Sequence, residues 1–223
     1  MIEIHSKTFN DDIEFKDDVH ITGTINAMGN LTAYSIKSDE ELTIAKNLES
    51  KQGSIIANST LVIGHNLISA QDIVVNGDCK VNGDIIGKKI FLRGSIIKGT
   101  QLKGDLIKIR GKVSIQKDIT ATESIDIAIN PKRSETNISG IIHAPNVIIS
   151  FTGSFSKLLL LPDMILKKLG KKTQLKRDFH VKNLNIETED LIIRTYYPPE
   201  RINVDYTNSE IDARTIKIEQ IQD

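Results

Sequence analysis

The side chains that invite a search for chemistry are five histidines, one cysteine and two adjacent acid pairs. They are His5, His20, His65, His143 and His180, then Cys79, then Asp17-Asp18 and Glu40-Glu41. An imidazole can serve as a general base or a metal ligand. A thiolate can be a nucleophile, and paired carboxylates can share acid and base work. The spacing supports none of these. There is no phosphate-cradling glycine loop, no dinucleotide fingerprint and no metal-ligand motif. His65-Asn66, at a corner, is the one place to look for a catalytic imidazole. His20 falls at an outward strand position. Cys79 falls on an inward one, where a small apolar side chain packs. The acid pairs sit in corners that water solvates. We therefore expect no catalytic residue, no cofactor, no metal and no small-molecule substrate: the chain reads as a non-enzyme.

What must position these residues is a repeat. Ile73-Val-Val-Asn-Gly77, Ile90-Phe-Leu-Arg-Gly94 and Ile107-Lys-Ile-Arg-Gly111 share one form, two apolar residues two apart, then a polar residue, then glycine. Stepping by five to seven residues from Ile13 meets an apolar side chain each time: Val19, Ile25, Leu31, Ile36, and so on to Ile119 and Ile125. No helical period does this. Two residues past each of them, on the same strand face, every side chain is apolar or small. Taken every third strand, one family reads Phe15, Ala33, Ser50, Ser69, Gly87, Gly104, Ala121. A second reads Ile21, Ser38, Ala57, Val75, Leu92, Ile109, Ile127, and a third reads Ala27, Ile44, Ile63, Val81, Gly99, Ile115. One family is small throughout after its first member, so one side of the coil is always tight. A period of three strands, about 18 residues, is that of a parallel β-helix with a triangular section. Glycines such as Gly23, Gly64, Gly77, Gly83, Gly94, Gly99, Gly104 and Gly111 fit sharp corners.

The left-handed hexapeptide coil wants a small residue directly after the apolar one. Here those places hold Ile56, Val62, Ile68, Val74, Lys80 and Ile86. That argues for the right-handed form, as does the general handedness of parallel crossovers. The phrases Ile73–Gly77, Val81-Asn-Gly-Asp-Ile85 and Ile90–Gly94 resemble the bactofilins, a polymer-forming cytoskeletal family, over about Val19 to Ile127. The resemblance implies a right-handed β-helix that stacks end to end into nonpolar filaments, without nucleotide, often near a membrane. The core positions at the ends of the coil as read here, Ile13, Val19, Ile21 and Ile127, are then the expected end-to-end interface. Two other readings stand beside it: a trimeric hexapeptide-type acyltransferase, and a capped, non-polymerising β-helix that acts as an interaction scaffold.

Outward strand positions are polar in the outer turns. In the middle turns they become Ile56, Val62, Ile68, Val74, Ile86 and Phe91. Leaving such side chains in water costs on the order of 1.5–3 kcal/mol each relative to burial. Either the 155–169 segment or the 181–223 strands cover this stripe, or another copy of the coil does.

The coil loses regularity after Ile129. Residues 130–137 read as an enlarged corner loop, and 141–149 as a last turn. Pro162 and Gly170 bracket a helix expected near 155–170. Its residues Leu158, Leu159, Leu160, Leu161, Ile165, Leu166, Leu169, Lys167 and Lys168 would cap the coil or lie on an anionic membrane. Strand signals return from Val181. The expected order is an N-terminal segment 1–12, a β-helix 13–150, an amphipathic helix and basic linker 151–180, and a C-terminal β region 181–223 of extra turns or a cap.

Acids and bases balance at 29 each, so no nucleic-acid partner is expected. The single cysteine fits a reducing compartment, and no signal peptide or membrane-spanning run is legible. The expected location is the cytoplasm, with peripheral membrane contact through the basic segment and the chain itself as principal partner.

Overall fold

Three-residue strands with two inward side chains cannot bury their apolar face alone. They must stack on equivalents one turn away. The computed structural model describes residues 1–129, 136–151, 177–180, 184–195, 202–206 and 208–221. Every regular element among them is a strand and every pairing is parallel. The result is a β-solenoid of about 8 turns with about 18 residues per turn.

From Ile2–Ile4 to Ile85–Ile86 the strands hold two or three residues. Backbone hydrogen bonds between adjacent turns span 16 to 20 residues. Later strands lengthen to 11 or 14 residues: Lys89–Gly99, Leu102–Ile115, Ile119–Ile129, Ile141–Phe151, Asn185–Thr195 and Glu210–Gln220. They run through a corner with a register shift, as between Arg93 and Ile96, where a bulge bends the strand without ending it. Spans there grow to 23 and 25 residues, and one reaches 43 where the chain carries residues 152–184 between two paired strands.

Three ladders run along the coil. The first passes without a break from Ile2 through Val19, Ile36, Ile55, Ile73, Ile90, Ile107, Ile125, Val147 and Leu191 to Ile216. The second runs from Ile13 through Leu31, Leu48, Leu67, Ile85, Leu102, Ile119, Ile142 and Ile186 to Ile211. The third begins at Lys7, whose ammonium lies 4.8 Å from the Phe9 ring centre. It continues through Ile25, Leu42, Leu61, Cys79, Ile97 and Val113, and ends at Ile138. Among the described residues Arg177–His180 and Ile202–Asp205 pair only with each other.

The inward side chains of these ladders are the core, and from Val19 to Ile193 they are buried except Thr188, which is half-buried. The small family lies on the Ile13 ladder. There Ser50 and Ser69 are buried with their hydroxyls 3.1 Å apart, and both donate to the Gly53 carbonyl. Their hydroxyls are thus satisfied where a larger side chain has no room.

Several expectations change place. The paired strands begin at Ile2, since Ile2–Ile4 and Lys7–Phe9 join the ladders ahead of Ile13. Asn185–Thr195 and Glu210–Gln220 do not fold back over the outward stripe. They continue the coil, and on the first of them Ile186, Leu191 and Ile193 keep the inward alternation and are buried. The helix expected near 155–170 lies outside the described residues, and no helix occurs among the described ones.

The glycine ending each repeat phrase has a reason beyond turning. Gly77, Gly94 and Gly111 stack: a Cβ on Gly94 would overlap the Gly77 carbonyl, and one on Gly111 the Gly94 carbonyl. Only Gly111 among the described glycines has a positive φ, 147°. Most of these corners need glycine for space rather than for its backbone freedom.

Candidate functional site

The outward stripe forms on two ladders, as the residue order requires. Ile56, Val74 and Phe91 are register partners on the Ile2 ladder. They are bounded by Lys37 on one side and Lys108 on the other. The Lys108 ammonium lies 5.8 Å from the Phe91 ring centre, so one edge of the stripe ends in a cation–π contact. Ile68 and Ile86 pair on the Ile13 ladder. Val62 stands apart on the Lys7 ladder between Thr43 and Lys80. All are half-buried except Ile86, which is exposed. Neighbouring rungs shield one another, so the stripe costs less in water than isolated side chains would.

The proposed end-to-end residues divide. Ile13 opens its ladder and pairs only with Leu31 among the described residues. Val19, Ile21 and Ile127 are interior. Val19 and Ile21 lie between Ile2 and Ile4 on one side and Ile36 and Ser38 on the other. Ile127 lies between Ile109 and Ile149. The terminal rungs are Ile2–Ile4, Lys7–Phe9 and Ile13–Glu14 at one end, and Glu210–Gln220 at the other. Each has a partner strand on one side only among the described residues. At these rungs the core positions open to water: Ile2 is 36% and Ile216 50% exposed, while Ile107 is at 0%. The sequence reading named Ile13 and read 181–223 as extra turns, but it missed the rungs Ile2–Ile4 and Lys7–Phe9 and did not place the far end at Ile216/Ile218, although the inward pairs Ile2/Ile4 and Ile216/Ile218 carry the same signal. The capping or membrane residues Leu158, Leu159, Leu160, Leu161, Ile165, Leu166, Lys167, Lys168 and Leu169 lie outside the described set.

The histidines are scattered. His20 Nε2 donates to Asp39 Oδ2 at 2.6 Å. That bond, and then one from Asn58 Nδ2, hold the Asp39 carboxyl below its usual range. His5 lies 2.8 Å from the Thr22 hydroxyl, and His143 3.4 Å from Glu187. His65 is exposed at its corner. Its neighbour Asn66 is engaged: the Asn66 Oδ1 accepts the Asp84 N–H at 2.9 Å. Among the described residues no His, Cys, Asp and Glu group has metal-binding geometry. Burial pushes the Cys79 thiol up to about 12, which leaves little thiolate near neutral pH.

Asn66 belongs to a polar ladder that the sequence reading overlooked. The Asn30 N–H and Nδ2 donate to the Asp12 carboxylate, and the Asn47 N–H and Nδ2 to Asn30 Oδ1. The Asn66 N–H donates to Asn47 Oδ1. Each of these residues stands just before an inward apolar residue, Ile13, Leu31, Leu48 or Leu67. That spacing, read at the period of the coil, was the available signal. The ladder floors a shallow groove of about 490 Å³, lined also by Glu14, Thr32, Glu49 and Ile68. Lys46 and Lys51 reach Asp12 and Glu14 at 3.1 and 2.7 Å. Bonds from Asn30 first, then from Lys46, lower the Asp12 pKa, and Lys51 lowers that of Glu14.

No described helix is long and apolar enough to cross a membrane. The fold thus stands on the internal repeat alone, because comparison with family models, curated proteins and solved structures finds no match to the chain.

Proposed function

We propose that the chain is a structural protein that self-assembles through its coil, in the manner of the bactofilins it resembles. It does so without nucleotide, metal or catalysis. The coil is taken as right-handed and three-sided, and the protein as cytoplasmic, with the basic 157–177 segment as its contact with anionic membrane. The observation that carries this reading is the state of the two ends. Each offers a strand with a parallel partner strand on one side only and partly exposed core positions among the described residues. Such an edge is a template for another strand. A second reading, lateral docking of coils or of a scaffolded partner, draws on the Ile56–Val74–Phe91 stripe.

Sedimentation of the full chain at increasing concentration tests the first reading. The wild type should pellet. Ile216→Lys places a charge on the half-exposed last rung and should stay in the supernatant with an unchanged circular dichroism spectrum. We expect at least a tenfold rise in the concentration needed to pellet, about 1.4 kcal/mol at the contact. Equal pelleting of folded Ile216→Lys would remove the end rung from the assembly.

A further inference from the structure

Charge is segregated along the coil although the whole chain is neutral. Residues 1–79 hold twelve acids and five bases, and residues 80–117 ten bases and two acids. The change of sign falls beside the outward stripe. On the Ile2 ladder the rungs follow in the order Ile36, Ile55, Ile73, Ile90, Ile107. Ile56, Val74 and Phe91 stand outward on the three middle rungs. The rung before them ends in Asp39-Glu40-Glu41, at the corner that follows Ser38. At the same corner the Ile90 and Ile107 rungs carry Arg93 and Arg110, which are register partners. Glu40, Glu41, Arg93 and Arg110 are exposed, and among the described residues none of the four has an ion-pair partner.

We propose that two copies of the chain pair through this wall, antiparallel, about a twofold axis that crosses the wall along the strand direction at Val74. The proposal rests on the self-assembly reading above and adds a lateral contact to it. The patch is self-complementary, as a twofold interface requires. Val74 meets Val74 and Ile56 meets Phe91, so each stripe covers the other. At both ends of the contact the acidic corner of one copy faces the arginine corner of its partner. Residues 36–41 bring three carboxylates and one lysine, a net charge of −2, while residues 89–93 and 106–110 bring four bases and no acid, a net charge of +4. Lys37 also meets Lys108, but Asp39 lies 3.5 Å from Lys37, and Lys108 leans over the Phe91 ring. The sum at each end is attraction. Coils running the same way would set acid on acid and arginine on arginine, repulsion at both ends. A twofold pair has no polarity, in keeping with the nonpolar filaments that the resemblance implies.

Cross-linking of the full chain with a short bismaleimide tests the geometry. Cys79 is buried and its thiol is pushed up to about 12, so it stays silent. Val74→Cys should link to itself. Ile56→Cys and Phe91→Cys should each link poorly alone and link together when mixed; circular dichroism checks that each variant folds. Self-linking of Ile56→Cys with no gain in the mixture would overturn the antiparallel order. Folded Val74→Cys that links at no concentration would overturn the pairing, because something other than a second copy then occupies the wall. Filaments in that same sample would leave end-to-end self-assembly standing. Linked pairs without filaments would support the wall contact and remove the end joint instead. As a charge test, Arg93→Glu with Arg110→Glu should lower the linking of Val74→Cys about tenfold at low salt. Adding Glu40→Lys and Glu41→Lys to the same chain should restore it. No restoration would overturn the contact between the two corners.

Discussion

Gly111→Val is expected to destabilise the coil by about 3–5 kcal/mol, the sum of overpacking and of strain at a positive φ. The φ of 147° is one that valine rarely adopts, and its Cβ would overlap the Gly94 carbonyl, which is backbone and cannot swing aside. Gly94 is itself stacked on the Gly77 carbonyl, so the strain passes to the next turn instead of dissipating at a loop. Gly99→Ala is the control. Its new methyl meets only side-chain methyl groups at 3.2 to 3.5 Å and should change stability by about 1 kcal/mol or less. Urea denaturation followed by circular dichroism measures both. Equal midpoints for the two variants would show that the stacked glycines are not held by close approach.

The second large effect is Ile107→Asp. Ile107 is fully buried between Ile90 and Ile125 in the middle of the longest ladder. Truncating such a side chain costs about 2–5 kcal/mol. An unpaired carboxylate in its place costs several more unless it takes up a proton. Against a total stability of about 5–15 kcal/mol for a typical domain, the variant should lack the cooperative unfolding transition of the wild type at 25 °C. A solenoid is a chain of nearest-neighbour contacts, so a break at its centre separates two short stacks. Lys103→Gln changes an outward, exposed position on the neighbouring ladder and should stay within about 0.5 kcal/mol. A native-like transition for Ile107→Asp would contradict the inward assignment.

These two sites show which part of the fold was legible. Inward and outward positions alternate with period two, and the identity of the ladder repeats every third strand. Ile107, Ile109 and the small series Ala33–Ser50–Ser69 could therefore be placed from residue type alone. The coil's ends could not. A terminal rung such as Ile2–Ile4 carries the same pattern as an interior rung such as Val19–Ile21, and only the hydrogen-bonded register shows which has a neighbour on both sides. The glycines were legible as corners, but a close approach between turns joins residues 17 positions apart, and local propensity does not carry it. The same holds for the Asp12–Asn30–Asn47–Asn66 ladder. Each member reads locally as a turn residue, and the side-chain bonds between turns appear only when the turns are stacked. The polar groups of these corners are matched turn to turn, so they favour the same register as the isoleucines.

The outward stripe is the intermediate case. Its members, their order and the outward lysines on either side, Lys37 and Lys108, followed from the sequence, and the structure adds the contact of Lys108 with the Phe91 ring. Strands Asn185–Thr195 and Glu210–Gln220 extend the coil's ladders instead of covering the stripe.

The central claim is that these open ends join copies of the chain. Electron microscopy of the purified full-length wild-type protein, without nucleotide or metal, tests it most directly. The account predicts unbranched filaments. Discrete particles of fixed size at every concentration would contradict it.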